Sequence, residues 1–168
     1  IKALTQIQSS QNISSTNLDN ADVISIAQEA GKSCVQVFFY RSKQNWGNQS
    51  YFPSHDKSHT IEEVLTSFIT QFYENKNVPS EILLNKKIKD LNLIKAALEK
   101  KEEKFISIKI PTKGNGLKLS KMAEKNAKES LTRKIFESET NNKLLNEVAD
   151  KFKLDVSPRL IEVYDNSH

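Results

Sequence analysis

The spacing of apolar residues changes at Pro53, and this change limits the chain to a fold that contains both strands and helices. Before Pro53, three segments are rich in β-branched and aromatic residues, a composition that favours strands. They are residues 22–30 (DVISIAQEA), 34–42 (CVQVFFYRS) and 49–53 (QSYFP). The sequences GK and NWGN separate them and are typical of hairpin turns. The sequence therefore predicts an antiparallel meander of three strands.

A helical pattern follows in the segment TIEEVLTSFITQFYEN, residues 60–75. Thr60 precedes Glu63 by three residues, which is the spacing of a capping box at the start of a helix. Apolar residues then recur every three or four positions, as on one face of a helix. They are Ile61, Val64, Leu65, Phe68, Ile69 and Phe72. This segment is predicted to form an amphipathic helix.

Strands and helices alternate in the remainder of the chain. The strand-like segments are EILLN (81–85), FISIKIP (105–111) and LIEVYD (160–165), and the helical ones are residues 89–102 and a long region from Leu117 to about Phe152. Strands joined by a crossover helix run parallel. We therefore predict an α/β fold, in which three antiparallel strands and later parallel strands form a mixed sheet with helices on both faces. This is the element order of the ribonuclease H-like fold.

Active proteins of that fold bind divalent metals with carboxylates at the ends of the first and fourth strands and on the first helix. Two cations about 4 Å apart need several anionic oxygen ligands. Here one face of the first strand offers Val23, Ser25 and Ala27, and the fourth strand ends in Asn85. Alignment of VISIAQEA with IEVYDNSH sets Ala27 opposite Asp165, whereas a shift of two residues would set Glu29 there. We favour Ala27 because the two apolar runs then have equal lengths. The domain is therefore predicted to be catalytically silent.

Positive charge is concentrated in residues 112–134, which contain seven lysine and arginine residues and two glutamates. The formal net charge of the whole chain is only +4. Four of these lysines recur at spacings of three, four and three and therefore share one helical face. They are Lys118, Lys121, Lys125 and Lys128. Such a face either contacts DNA phosphates or is merely solvated, and the sequence leaves both interpretations open.

Three smaller groups also have two interpretations each. His55, Asp56 and His59 have a spacing that could bind a metal, but a polar loop between a strand and a helix explains them better. The segment PTKGNG, residues 111–116, could bind phosphate but lacks the Walker pattern, so we interpret it as a loop. Trp46 either stacks on a base or packs on its own sheet, and we favour packing.

At 168 residues the chain has the size of an ordinary single domain. No apolar run approaches the roughly 18 residues of a membrane span, and IKALTQIQ lacks the features of a secretory signal. We therefore expect a cytoplasmic protein with no membrane association. The single cysteine, Cys34, lies in the apolar run CVQVFFY, which indicates a core residue rather than a nucleophile.

Several segments closely resemble the middle of the UvrC family, the incision component of the excinuclease of bacterial nucleotide excision repair. They are ADVISIAQEAGKSCVQVFFYRSKQNWGNQSYFP, EVLTSFITQFYENKNVPSEILL, MAEKNAKESL and PRLIEVYDNSH, so that the match covers essentially the whole chain. In addition, IKALTQIQ resembles the tail of that family's UVR motif, a helical hairpin that contacts the helicase UvrB. The terminal YDNSH resembles the opening of the C-terminal ribonuclease H-like nuclease domain.

The resemblance implies four parts. They are a UVR tail (residues 1–8), a linker (9–21), a silent ribonuclease H-like domain (22–157) and the first strand of the nuclease domain (158–168). The first catalytic and metal-binding aspartate of the nuclease would then be Asp165. The resemblance implies Mg²⁺ in the complete nuclease and none bound by this fragment, and it leaves the role of His168 open.

The implied function is that of a fragment of the enzyme that makes incisions 5′ and 3′ of a DNA lesion. The implied partners are UvrB and damaged double-stranded DNA. This segment would be inactive by itself and would act mainly as a scaffold between the UvrB-binding motif and the 5′ nuclease. The alternative is a freestanding, non-catalytic ribonuclease H-like module that binds protein or nucleic acid.

Overall fold

The computed structural model describes residues 18–156 and residue 158. Its strands are β1 (Asn20–Glu29), β2 (Lys32–Arg41), β3 (Gln44–Tyr51), β4 (Glu81–Leu84) and β5 (Ser107–Lys109). Its helices are α1 (Ile61–Phe72), α2 (Leu91–Glu102) and α3 (Gly114–Phe152). Each strand and helix predicted between residues 22 and 152 is therefore present.

The five strands form one mixed sheet in the order β3-β2-β1-β4-β5. The pairs β1–β2 and β2–β3 are antiparallel, as expected for strands joined by tight turns. The pairs β1–β4 and β4–β5 are parallel, because helices connect these later strands. The predicted α/β fold with an antiparallel meander and added parallel strands is confirmed.

The second hairpin turn lies before the predicted position. Ser42 and Lys43 form it, with φ angles of 49° and 63°, as in the two-residue turns that match the twist of the strands. The predicted turn NWGN belongs to β3 instead. There Gly47 has a φ of 115°, and the register against β2 shifts between Phe39 and Tyr40. The Asn and Gly residues therefore mark a β-bulge, which uses the same residue types as a turn.

Trp46 lies in this bulge, and 72% of its surface is exposed. The adjacent backbone is held by Asn45, whose Oδ1 accepts a hydrogen bond from Gly47 N–H at 2.8 Å. The prediction that Trp46 packs on its own sheet is wrong, because the bulge interrupts the alternation that would have turned the indole inward.

A different cluster is buried on each face of the sheet. On one face Ile24 and Ile26 of β1 belong to the same core as Val64 of α1. On the other face Val23 packs in a second core with Leu119 of α3. Successive residues of a strand point to opposite faces, so β1 contributes to both cores. Helices cover both faces, as predicted, and β1 lies between β2 and β4 in the middle of the sheet.

The start of α1 has the predicted capping box. Thr60 Oγ1 accepts from Glu63 N–H at 3.3 Å, and Glu63 Oε2 accepts from Thr60 N–H at 2.8 Å. Glu63 Oε1 also accepts from Lys89 Nζ at 2.7 Å. The bond from Lys89, followed by those from Thr60, lowers the pKa of Glu63 to about 2. Glu63 is therefore ionised at all but strongly acidic pH.

Two compact units divide the chain, with the boundary between Leu131 and Thr132. The first unit contains the sheet, α1, α2 and the first part of α3. In the second unit, α3 ends at Phe152 and is followed by Lys153, whose φ is 53°. Leu154 N–H donates to Ala149 O at 2.9 Å, which satisfies one of the last carbonyls of the helix.

The structure also places Cys34 and the segment PTKGNG. Cys34 is fully buried in β2, as predicted for a core residue. Residues 111–113 form a loop, and α3 begins at Gly114, so PTKGNG is partly loop and partly helix. Within the described residues, no helix is both long enough and apolar enough to cross a bilayer.

Candidate functional site

A side chain joins the end of β4 to β1. Asn85 directly follows β4, and its amide faces the backbone of Ile26. Asn85 Oδ1 accepts from Ile26 N–H at 2.9 Å, and Asn85 Nδ2 donates to Ile26 O at 3.0 Å. Ile24 and Leu84 are the last pair of residues in the backbone pairing of β1 with β4. The amide therefore extends the pairing of the two strands by one further step.

This two-bond contact requires an amide. A carboxylate accepts hydrogen bonds at both oxygens but cannot donate one to a carbonyl. The position at which the fold predicts an aspartate is thus occupied by a group that connects β1 to β4. On β1, Ala27 is buried and follows Ile26 directly, whereas Glu29 is the exposed last residue of the strand.

The described residues do not fit a divalent metal ion. Among them, no group of three or more His, Cys, Asp or Glu side chains is arranged to hold one. The sequence motif of His55, Asp56 and His59 lies in a loop and is engaged locally. His55 Nε2 lies 2.8 Å from Ser33 Oγ, and Asp56 Oδ1 accepts from Ser58 N–H at 2.8 Å. These contacts agree with the interpretation of the motif as a polar loop.

Asn85→Asp is expected to destabilise the domain by about 2–3 kcal/mol at neutral pH, because a hydrogen bond is lost and a carboxylate faces Ile26 O. The same repulsion should raise the pKa of the new carboxyl in the folded protein. The stability of the variant should therefore be closest to that of wild type below the unfolded-state pKa of about 4. The loss of unfolding free energy should grow as the pH rises through the folded-state pKa of the new carboxyl.

Denaturant unfolding of wild type and variant at about pH 3.5 and about pH 7 measures this difference. Asn142→Asp, at an exposed position of α3, is the matched control and should have little effect. A loss that is the same at both pH values would contradict the assigned role of the amide donor.

Neutral polar side chains line the sheet where α3 crosses it. Ser25 Oγ donates to Ser120 O at 3.0 Å, and both serines are buried. On β3, Ser50 Oγ donates to the buried Gln36 Oε1 at 2.5 Å and lies 3.2 Å from Ser130 Oγ. Such buried polar contacts favour one helix position over others, because a shifted helix would leave them unsatisfied.

The four predicted lysines lie on the solvent side of α3. The opposite side of the helix is buried at Leu119, Ala123, Ala127 and Leu131. Lys125 and Lys128 are each within ion-pair distance of a glutamate one turn away, at 3.7 Å from Glu129 and 3.0 Å from Glu124. Lys118 and Lys121 are exposed and form no ion pair within the part of the chain that the structure describes. The least neutralised charge therefore lies toward the start of the helix.

A buried carboxylate at the other end of β1 was not predicted from the sequence. Asp22 is 1% exposed, its Oδ1 lies 2.7 Å from Arg41 Nη1, and its Oδ2 accepts from Tyr73 OH at 2.7 Å. Burial, and then the Asp22 charge, raise the pKa of Tyr73 well above its usual value of 10. Both carboxylate oxygens have a partner within this trio, which indicates a structural role. The only signal in the sequence was an acid at the start of an apolar strand.

Other predicted site residues lie outside the described residues. These are Asp165, the proposed first aspartate of the nuclease, and His168. The UVR-like residues 1–8 and most of the linker are also outside them. The structure therefore places Asn85 against Ile26, the residue before Ala27, displays the lysine face, and leaves the assignment of Asp165 as a prediction.

Comparison with known proteins matches residues 20–134 to the family described as the UvrC ribonuclease H-like domain. UvrABC system protein C of Ruegeria sp. strain TM1040 is 45% identical over all 168 residues, which cover 26% of that protein. The same protein of Cereibacter sphaeroides is 43% identical, with 27% covered, and that of Rhodopseudomonas palustris is 46% identical, with 24% covered. The chain thus spans about a quarter of these curated relatives. With the matched segment including the whole sheet, the chain belongs to the UvrC ribonuclease H-like domain family.

Proposed function

We propose that this chain is a segment of a nucleotide excision repair nuclease of the UvrC type, which cuts DNA 5′ and 3′ of a lesion. The segment acts mainly as a scaffold between a UvrB-binding motif and the nuclease that makes the 5′ incision. Three relatives named UvrABC system protein C, each matched over the whole length of this chain, support the proposal. The observation that carries the scaffold role is the Asn85 amide, which ties β1 to β4 where catalysis would need a carboxylate.

The proposal includes partners, a cofactor and a compartment. The partners are UvrB and damaged double-stranded DNA, and the protein works in the cytoplasm. Mg²⁺ belongs to the complete nuclease domain, with Asp165 as its first ligand. The described residues provide no comparable group of ligands, so the incision chemistry is assigned to the sequence that follows this domain.

The lysine face of α3 is proposed to contact the DNA backbone. Its cations project from the side of the helix opposite the buried face, where they are accessible to a large polyanion. Binding of a lysine to phosphate releases condensed counterions, which makes the affinity depend on salt concentration. The ion pairs of Lys125 and Lys128 must be loosened before these lysines bind phosphate, whereas Lys118 and Lys121 have no such competition among the described residues.

Changing all four lysines to glutamine in the intact protein is expected to flatten the salt dependence of binding to damaged DNA. Each lost phosphate contact should reduce the log-log slope by about one. The pair Lys118→Gln and Lys121→Gln should account for most of the change, and the pair Lys125→Gln and Lys128→Gln for less. Affinity for a lesion-containing duplex, measured with UvrB across a range of salt concentrations, tests this.

Lys100→Gln with Lys151→Gln is the control, because both lysines are exposed on other helical surfaces and the change in net charge is the same as in each pair. An affinity and a slope that stay unchanged in the fourfold variant would show that the lysine face is merely solvated. Folding of each variant is checked by its denaturation midpoint.

A further inference from the structure

A cleft lies beside β5, the edge strand of the sheet, with a volume of about 290 Å³. We call it the β5 groove. Its floor is aliphatic and includes Leu84, Ile88 and Ile108, and its rim carries Lys86, Lys87 and Lys109. An apolar floor with charged groups only at the rim is typical of a binding groove rather than of an ordinary surface depression.

The backbone of β5 is available for pairing on its outer side. Ser107 N–H donates to Ser80 O on the β4 side at 2.9 Å. Alternate residues of a strand direct their backbone groups to opposite sides, so the N–H and C=O of Ile108 point away from β4. No strand of the described residues pairs with this outer side. An open edge next to an apolar groove is the arrangement that accepts an added strand.

The charges of the groove select the kind of segment that fits. Lys86 and Lys87 are exposed and have no ion-pair partner within residues 18–156. Lys109 is paired with Glu81, which shows that this rim already binds a carboxylate. The floor contains no aromatic ring on which a nucleic-acid base could stack. These features favour acidic and aliphatic side chains over a nucleic-acid strand.

We propose that the β5 groove is a docking site for an extended segment of a partner protein in which aliphatic and acidic residues alternate. The segment adds to the sheet as a sixth strand beside β5. Its backbone pairs with Ile108, its aliphatic side chains cover the floor, and its carboxylates meet Lys86 and Lys87. The site is separate from the lysine face of α3 and does not depend on the proposed role of that face.

The test uses the whole 168-residue chain and a synthetic peptide, acetyl-Glu-Val-Glu-Ile-Glu-Val-Glu-amide. The peptide is expected to bind saturably and to shift the amide resonances of Ile108 and Ile110 more than those of β3 at the other edge. Lys86→Glu with Lys87→Glu should weaken binding at least about tenfold, because the rim would then repel the carboxylates. Lys32→Glu with Lys100→Glu, an equal change in charge at exposed positions outside the lining of the groove, should bind as wild type does.

Four results would overturn the proposal. The first is no saturable binding, and the second is equal binding of a peptide with lysine in place of each glutamate. The third is binding of an oligonucleotide that Lys86→Glu with Lys87→Glu abolishes, since the groove would then serve nucleic acid. The fourth is occupation of the groove by this chain itself, seen either as peptide binding only after residues 1–17 or 159–168 are removed or as self-association that Lys86→Glu with Lys87→Glu abolishes.

Discussion

Replacing Asp165 with alanine in the intact protein is expected to abolish the incision on the 5′ side of the lesion, with a rate loss of at least about 10³-fold. Asp165 follows the apolar segment LIEVY, which is predicted from the sequence to form a strand. A rigid strand end can hold a metal ligand in place. The resemblance of YDNSH to the opening of the nuclease domain assigns it the first acid there. Loss of one anionic ligand from a site that must hold doubly charged ions removes most of its function.

The measurement is incision of a lesion-containing duplex in the presence of UvrB, with the two cuts separated by fragment length. The 3′ cut and the binding of UvrB should stay at wild-type levels, because Asp165 is assigned only to the nuclease that makes the 5′ cut and UvrB binding is assigned to the UVR motif. Glu29→Ala is the control from the silent domain and should leave both cuts unchanged. A near-normal rate of the 5′ cut by Asp165→Ala would show that Asp165 has no catalytic role and that YDNSH is an ordinary turn sequence.

Arg41→Met is expected to cost about 3 kcal/mol of folding free energy. It leaves the Asp22 carboxylate, only 1% exposed, without its cation, and an uncompensated buried charge typically costs about 3–5 kcal/mol. We use the lower end because the Arg41 side chain is 29% exposed, so that water can partly replace it.

A double variant separates the cost of the unpaired Asp22 charge from the cost of lost Arg41 packing. Asp22→Asn combined with Arg41→Met should recover part of the loss, because no charge then remains buried. Tyr73→Phe, which removes only the hydroxyl that donates to Asp22 Oδ2, should cost about 1–2 kcal/mol. Denaturant unfolding measures all three. Arg41→Met within about 0.5 kcal/mol of wild type would show that the ion pair does not stabilise the fold.

The sequence predicted elements better than it predicted contacts. The change of period at Pro53 and the Thr60–Glu63 spacing placed α1 correctly, because both signals are local. NWGN was assigned to a turn because Asn and Gly favour turns and bulges alike, while the real turn at Ser42 and Lys43 has no glycine. Trp46 therefore lies in a bulge of β3, where its side chain is exposed.

The sequence predicted that the candidate site lacks a carboxylate, but it did not predict the hydrogen bonds made there. An asparagine at the end of the fourth strand was visible in the sequence, and its neutral side chain indicated a silent domain. That its amide bonds to both backbone groups of Ile26 could not be predicted, because the partners lie 59 residues apart. The same holds for Asp22 and Tyr73, which lie 51 residues apart. Such pairs are set by the register of the sheet and the packing of α1.

The Asn85 amide holds this ribonuclease H-like domain together at the position where the fold would otherwise bind metal. Paramagnetic broadening by Mn²⁺ tests whether a metal binds there, with amide resonances recorded for the 168-residue chain as Mn²⁺ is added. No saturable broadening is expected to centre on residues 25–27 and 84–86, and only weak effects are expected at exposed acids. Saturable broadening that is centred on those residues and is lost in Glu29→Ala would show instead that the domain retains a metal site.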